Sequence, residues 1–154
     1  MIGCFDTSAL VPLVVSEPTS VRCAELWQAC DVRVASMLVI AEGHAALAQA
    51  LRLGRLTPAT YKVVASLFDQ VINQLDLVLP AREIVDTAAR LALSHSLRGY
   101  DAVQAATALS LSEDGVVAVT GDRELLDALR SLGLVTADTN GASPSSTTRV
   151  THQK

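Results

Sequence analysis

IGCFDTSALVPLVV, residues 2–15, is an apolar run that stops at Asp6, continues through Thr7 and Ser8, and becomes apolar again. It reads as a buried strand, an acid at its carboxyl end and the start of a helix, which puts one carboxylate where open α/β sheets bind ligands. The rest of the chain repeats the arrangement. Val32 to Ala35, Leu75 to Leu79, Val116 to Thr120 and Leu134 to Ala137 are further short apolar runs, each separated from the next by helical periodicity. Strands that are continuously apolar, alternating with helices, indicate a mostly parallel five-stranded sheet covered on both faces, a three-layer α/β/α sandwich.

The helices carry their own punctuation. Pro12 suits a first turn within Thr7 to Val15, and Ser16-Glu17-Pro18 breaks the chain before a helix over Thr19 to Ala29. Ser36 is read as the cap of a long helix that runs to Leu53 and stops at Gly54. Thr57 and Pro58 open a helix to Asn73, Pro80 opens one through His95, Asp101 one through Leu111, and Asp122 one that Gly133 ends. Residues 1–138 are read as one domain. From 139 to 154 the composition turns to Ser, Thr, Gly, Asn and Pro, a polar tail expected to be disordered.

With 154 residues, half of them hydrophobic and 18% charged, the chain buries a full core but has no room for a second domain. No apolar run approaches a membrane span, and no secretion signal opens the chain, so the expected location is the cytoplasm. Cys4, Cys23 and Cys30 have neither disulfide nor zinc spacing and read as small buried hydrophobes. His44 falls on a stripe with Ile40, Leu47 and Leu51, the place of a satisfied core or interface histidine. Ten of the 12 cations are Arg, suited to phosphate, while the formal charge of −4 argues against a broadly basic surface. Aromatics at 3% exclude a long base-stacking track, so contacts to a polynucleotide would be to backbone and shape.

Each acid has an ordinary explanation. Asp6, Asp101 and Asp122 all stand where an N-cap is wanted, and Asp101 with Gln104 has the spacing of a capping box. Glu42 is read as more than a turn inside an apolar helix, where solvent exposure would account for it. Together they say more. If the strands before Asp6 and Asp122 are parallel neighbours, both acids share one sheet edge, and the helices carrying Glu42 and Asp101 can point their amino ends towards it. Four converging carboxylates require a divalent cation or raised pKa values, and an oxygen-only donor set favours Mg²⁺ or Mn²⁺. Such a site suits phosphodiester hydrolysis, with Ser8 and Thr120 orienting the carboxylates from behind.

FDTSALVPLVVSEP at 5–18, AEGHAAL at 41–47, LRGYDAVQAATAL at 97–109 and VTGDRELLDALRSLGL at 119–134 resemble, in order, the four motif regions of PIN-domain ribonucleases. The likeness is greatest to VapC-type toxins of bacterial toxin-antitoxin pairs, and it spans nearly everything from Ile2 to Ala137. It implies that Asp6, Glu42, Asp101 and Asp122 hold Mg²⁺ or Mn²⁺, with Ser8 and Thr120 as supporting hydroxyls. It also implies endoribonuclease activity on a structured transfer or ribosomal RNA, a homodimer, and a VapB-type antitoxin that places a basic side chain among the acids. Asp6 would bind metal directly, Asp101 and Asp122 directly or through water, and Glu42 through water or as a proton-transfer group. Arg98 and Arg123, each near a motif acid, are assigned to substrate phosphates or, as readily, to solvent and salt bridges.

Gly43 inside a helix and Gly121 between Thr120 and Asp122 depart from what local structure would choose. Other acid-edged α/β classes fit poorly. A phosphoryl-accepting receiver domain needs a site lysine, and only Lys62 and Lys154 exist; a haloacid-dehalogenase-type phosphatase needs Asp where Ser8 stands. The remaining alternative is a non-catalytic PIN-fold binding module that acts through a partner or dimer interface.

Overall fold

Five short strands and seven α-helices alternate along the chain in the computed structural model, which describes residues 1–141. The strands are β1 (Ile2–Phe5), β2 (Val32–Ser36), β3 (Asp76–Val78), β4 (Val117–Thr120) and β5 (Val135–Asp138). The helices are α1 (Thr7–Leu10), α2 (Ser20–Ala29), α3 (Val39–Arg52), α4 (Pro58–Ile72), α5 (Arg82–His95), α6 (Gly99–Ser110) and α7 (Arg123–Ser131). A single 3₁₀ turn at Val11–Leu13 follows α1, at the proline that cannot continue an α-helical hydrogen-bond ladder.

All four strand pairings are parallel, in the order β3-β2-β1-β4-β5. Because the chain fills the sheet on one side of β1 and then returns to the other, the order reverses between β1 and β4. The crevice at the carboxyl ends of those two strands is the topological switch point, where such sheets bind ligands. Alternate strand residues feed two cores. Cys4 and Ala118 pack with α5, α6 and α7, whereas Phe5 and Val119 pack with α1, α3 and α4, giving the expected three layers.

The local reading needs four corrections. Asp101 does not open its helix: α6 begins at Gly99 with Arg98 at the N-cap, so Asp101 lies within the first turn, without a capping box. Glu42 is also in a first turn, that of α3, rather than deep inside the helix. Ser36 ends β2, and Leu38 is the N-cap residue of α3, although the Leu38 N–H still donates to Ser36 Oγ at 3.4 Å. Finally, Thr139 is buried and donates its N–H to the Thr120 carbonyl at 3.1 Å, so the ordered fold runs past 138. The tail expectation for 142–154 lies outside the described residues.

Gly43 has a packing reason. A Cβ there would lie 2.0 Å from Phe68 Cζ, so only glycine lets α3 approach the fully buried ring of α4 this closely. His44 meets the same ring edge-on and bonds Asp69 at 2.9 Å, a satisfied interface histidine. The three cysteines are buried and free, and burial pushes the Cys4 thiol up to about 12.

Candidate active site

Asp6 leaves β1 still paired, its N–H donating to the Val119 carbonyl at 3.0 Å, which brings it alongside Thr120. It is 6% exposed. One carboxylate oxygen, Oδ2, accepts from the Ser8 N–H at 3.1 Å, the Ser8 hydroxyl at 2.6 Å and the Thr120 hydroxyl at 3.1 Å. The Ser8 bond is the N-cap of α1. Oδ1 has no protein donor among the described residues. The two hydroxyls approach each other at 3.3 Å, but both protons are committed to Asp6. Their lone pairs accept from backbone: Gly121 N–H donates to Ser8 Oγ at 2.8 Å and Asp122 N–H to Thr120 Oγ1 at 3.0 Å. Asp6 is thereby locked in one rotamer by two hydroxyls that are themselves locked.

Asp122 caps α7, its Oδ1 accepting from Leu125 N–H at 3.0 Å. Its Oδ2 faces Arg98, whose guanidinium lies 3.6 Å away while also donating through Nε to Asp101 at 3.1 Å. Glu42 Oε2 accepts from the Thr7 hydroxyl at 3.1 Å. Burial, followed by the Asp6 charge and more weakly that of Asp101, pushes Glu42 up to about 7 against the opposing Thr7 bond. Asp101 is raised too, by burial first and by Asp122 and Asp6, with Arg98 pulling the other way. Glu42 feels Asp6 and Asp101, and Asp101 feels Asp6 and Asp122, so Asp6 and Asp101 link the four carboxylates. All four stand at amino ends of helices, in the caps of α1 and α7 and the first turns of α3 and α6, where the helix termini offset part of the repulsion.

The structure therefore brings Asp6, Ser8, Thr120, Asp101, Asp122 and Glu42 to the switch point. Arg98 also reaches it, bound to acids; Arg123 begins α7 as an exposed side chain outside the ion pairs among the described residues. Thr7 was missed, although it adjoins Asp6 in sequence. Asn140 was also missed, because it lies in the polar tail composition; its side chain donates to the Gly121 carbonyl at 2.9 Å.

The sequence matches the PIN domain family over residues 3–130. The chain belongs to the PIN-domain family. This PIN domain is 35% identical over 121 residues to Ribonuclease VapC45 of Mycobacterium tuberculosis, an alignment covering 79% of this chain and 84% of the relative. Its fold is similar to that of M. tuberculosis VapC20, described as a Sarcin-Ricin loop cleaving toxin, at TM-score 0.61 and 17% identity over 82% of this chain and 94% of that one. It is likewise similar to a chain of a toxin-antitoxin complex from Klebsiella pneumoniae, at TM-score 0.62 and 12% identity over 89% and 97% of the two chains.

Among the described residues no three His, Cys, Asp or Glu side chains stand as a ready-made metal cage. The arrangement has a physical reason: like charges keep apart, and Arg98 draws Asp101 and Asp122 to itself. The donor chemistry nevertheless fits a hard cation. The side chains that hydrogen-bond Asp6, those of Ser8 and Thr120, offer oxygen, and Asp6 presents a rigid carboxylate whose Oδ1 lacks a protein donor among the described residues.

Proposed function

We propose that this PIN domain is a metal-dependent endoribonuclease, the toxin of a toxin-antitoxin pair that inhibits translation and growth in the cytoplasm. The observation that carries the reading is the convergence of four carboxylates, with oxygen donors only, at the switch point of a parallel sheet. The relationship to a ribonuclease over most of both chains supports the substrate class. Similarity in fold to a Sarcin-Ricin loop cleaving toxin and to a chain of a toxin-antitoxin complex supports a structured RNA target and a VapB-type antitoxin; the homodimer is part of the same proposal.

In this reading Asp6, Asp101 and Asp122 hold Mg²⁺ or Mn²⁺, and Glu42 contributes through water. When bound, the cation supplies charge stabilisation at the scissile phosphate and acidifies the attacking water. Ser8 and Thr120 hold Asp6 in its binding rotamer. Glu42, raised to about 7 in the cation-free protein, is the carboxyl assigned to accepting or returning a proton. Arg98, 75% exposed, and Arg123 offer guanidinium groups at the rim for substrate phosphates.

The test is cleavage of total RNA with Mg²⁺ or Mn²⁺, with EDTA as control and the cut ends mapped. Wild type yields discrete fragments, and Asp6→Asn or Asp101→Asn abolishes them with the circular dichroism spectrum unchanged. Metal-dependent cleavage retained by either purified variant would sink the assignment.

A further inference from the structure

A groove of about 540 Å³ opens beside the acid cluster along α3. Thr7 and Glu42 line it at the acid end, Gln49 and Arg52 belong to it farther along α3, Tyr100 lines it from α6, and three alanines of α3 complete it. Glu42 and Arg52 are ten positions apart on one helix, about 15 Å along its axis. The groove thus starts at the candidate catalytic carboxylates and extends far enough for a few nucleotides.

Its lining has a definite chemistry. Tyr100 is 52% exposed and makes no ring contact, hydrogen bond or ion pair among the described residues. It is the residue before Asp101, in the same helical turn, so its ring is positioned by the element that positions an acid. Arg52 is exposed and lies outside the ion pairs formed among the described residues. The alanines carry no long side chain to block a flat group. A flat apolar ring near the reacting end and a cation at the other match a nucleobase followed by a phosphate.

We propose that this groove grips the RNA strand next to the scissile bond, with one base stacked on Tyr100 and a phosphate farther along the strand held by Arg52. The inference rests on the ribonuclease reading and deepens it. Tyr100 and Arg52 are binding residues, and the chemistry stays with the acids. A single exposed ring gives one stacking site, in keeping with a chain too poor in aromatics for a continuous track.

Steady-state cleavage of a fluorescent RNA spanning the mapped cut site tests the groove, using full-length protein with Mg²⁺ or Mn²⁺. Tyr100→Leu raises KM by about fivefold to a hundredfold, the span expected of one lost base stack. In the same assay kcat stays within about twofold, as for a loss of uniform binding. Tyr100→Phe, which keeps the ring, restores the wild-type KM. Arg52→Gln raises KM and lowers the slope of log KM against log salt by about one. Both side chains are exposed, and circular dichroism checks that the variants fold. Unchanged KM in Tyr100→Leu and Arg52→Gln overturns the subsite and leaves the ribonuclease reading standing. If those variants instead lose affinity only for the protein partner, the groove belongs to that partner and the proposal fails. Absence of cleavage by the wild type, with no mapped site to build the probe from, overturns the ribonuclease reading and the subsite with it.

Discussion

Glu42→Gln should make the metal-free protein more stable at pH 8 and leave its stability at pH 5 nearly unchanged. The Glu42 carboxyl is raised from 4.5 to about 7, chiefly by burial and then by the Asp6 charge. An acid raised on folding binds its proton more tightly in the folded state, so stability falls as pH rises from the unfolded value to the folded one and stays low above it. The full shift would correspond to about 3 kcal/mol at 1.36 kcal/mol per pH unit. Glu42 is only half-buried, and solvent screening reduces the penalty to about 1–2 kcal/mol. Gln keeps an oxygen to accept the Thr7 hydroxyl while removing the charge. Urea unfolding of both proteins in EDTA at pH 5, 6, 7 and 8 measures the difference; contributions common to both proteins cancel. Parallel pH profiles, or a variant less stable at pH 8, would refute the view that Glu42 is held against its own repulsion. Adding Mg²⁺ at pH 8 should narrow the gap, since a cation bound only by the folded state stabilises it and Glu42 contributes to its binding.

Three further substitutions probe the frame around the site. Gly43→Ala should lower stability by about 1–2 kcal/mol, because overpacking against the buried Phe68 ring exceeds the roughly 1 kcal/mol that alanine adds to helix propensity; a raised melting temperature would contradict this. Gly121→Ala places a Cβ 2.5 Å from Thr139 Oγ1, next to the amide that donates to Ser8, so cleavage should fall by at least about tenfold through displacement of the Asp6 support. A wild-type cleavage rate in Gly121→Ala would show that the support tolerates movement. Thr7→Val removes the hydroxyl that lowers the Glu42 value, so the pH dependence of cleavage assigned to Glu42 should move to higher pH; an unmoved profile would separate Glu42 from the proton transfer.

Continuous apolar runs made the strands legible to within a residue or two, and parallel pairing followed from their lack of alternation. Asp6 and Asp122 were legible as a pair for the same reason: each follows a buried strand, and β1 and β4 proved to be neighbours. What escaped was set by contacts remote in sequence. Gly43 looks unfavourable until Phe68, 25 positions later, arrives against it. Asp101 looked like a helix opener because Gly99 and Tyr100 carry no capping side chain, yet Arg98 has the extended N-cap backbone and the helix begins before the acid. Composition placed Thr139 and Asn140 with a tail, whereas their hydrogen bonds to Thr120 and Gly121 tie them to the edge of the site.

The acids also show how capping and a candidate catalytic role can occupy one residue. The cap of α1 uses Asp6 Oδ2, as do both supporting hydroxyls, leaving Oδ1 without a protein donor among the described residues. Asp122 divides its carboxylate similarly, with Oδ1 on the Leu125 amide and Oδ2 towards Arg98. A capping acid spends one oxygen on its helix and fixes the direction of the other, so the local requirement that explains each residue singly also aims it. Glu42 and Asp101, which do not cap, are positioned instead by Thr7 and Arg98. Their raised values follow from that placement: they enter a field already set by Asp6 and, for Asp101, by Asp122, with burial on top. The capping pair therefore forms the rigid half of the site and the raised pair its adjustable half. For that reason stability should respond to pH through Glu42.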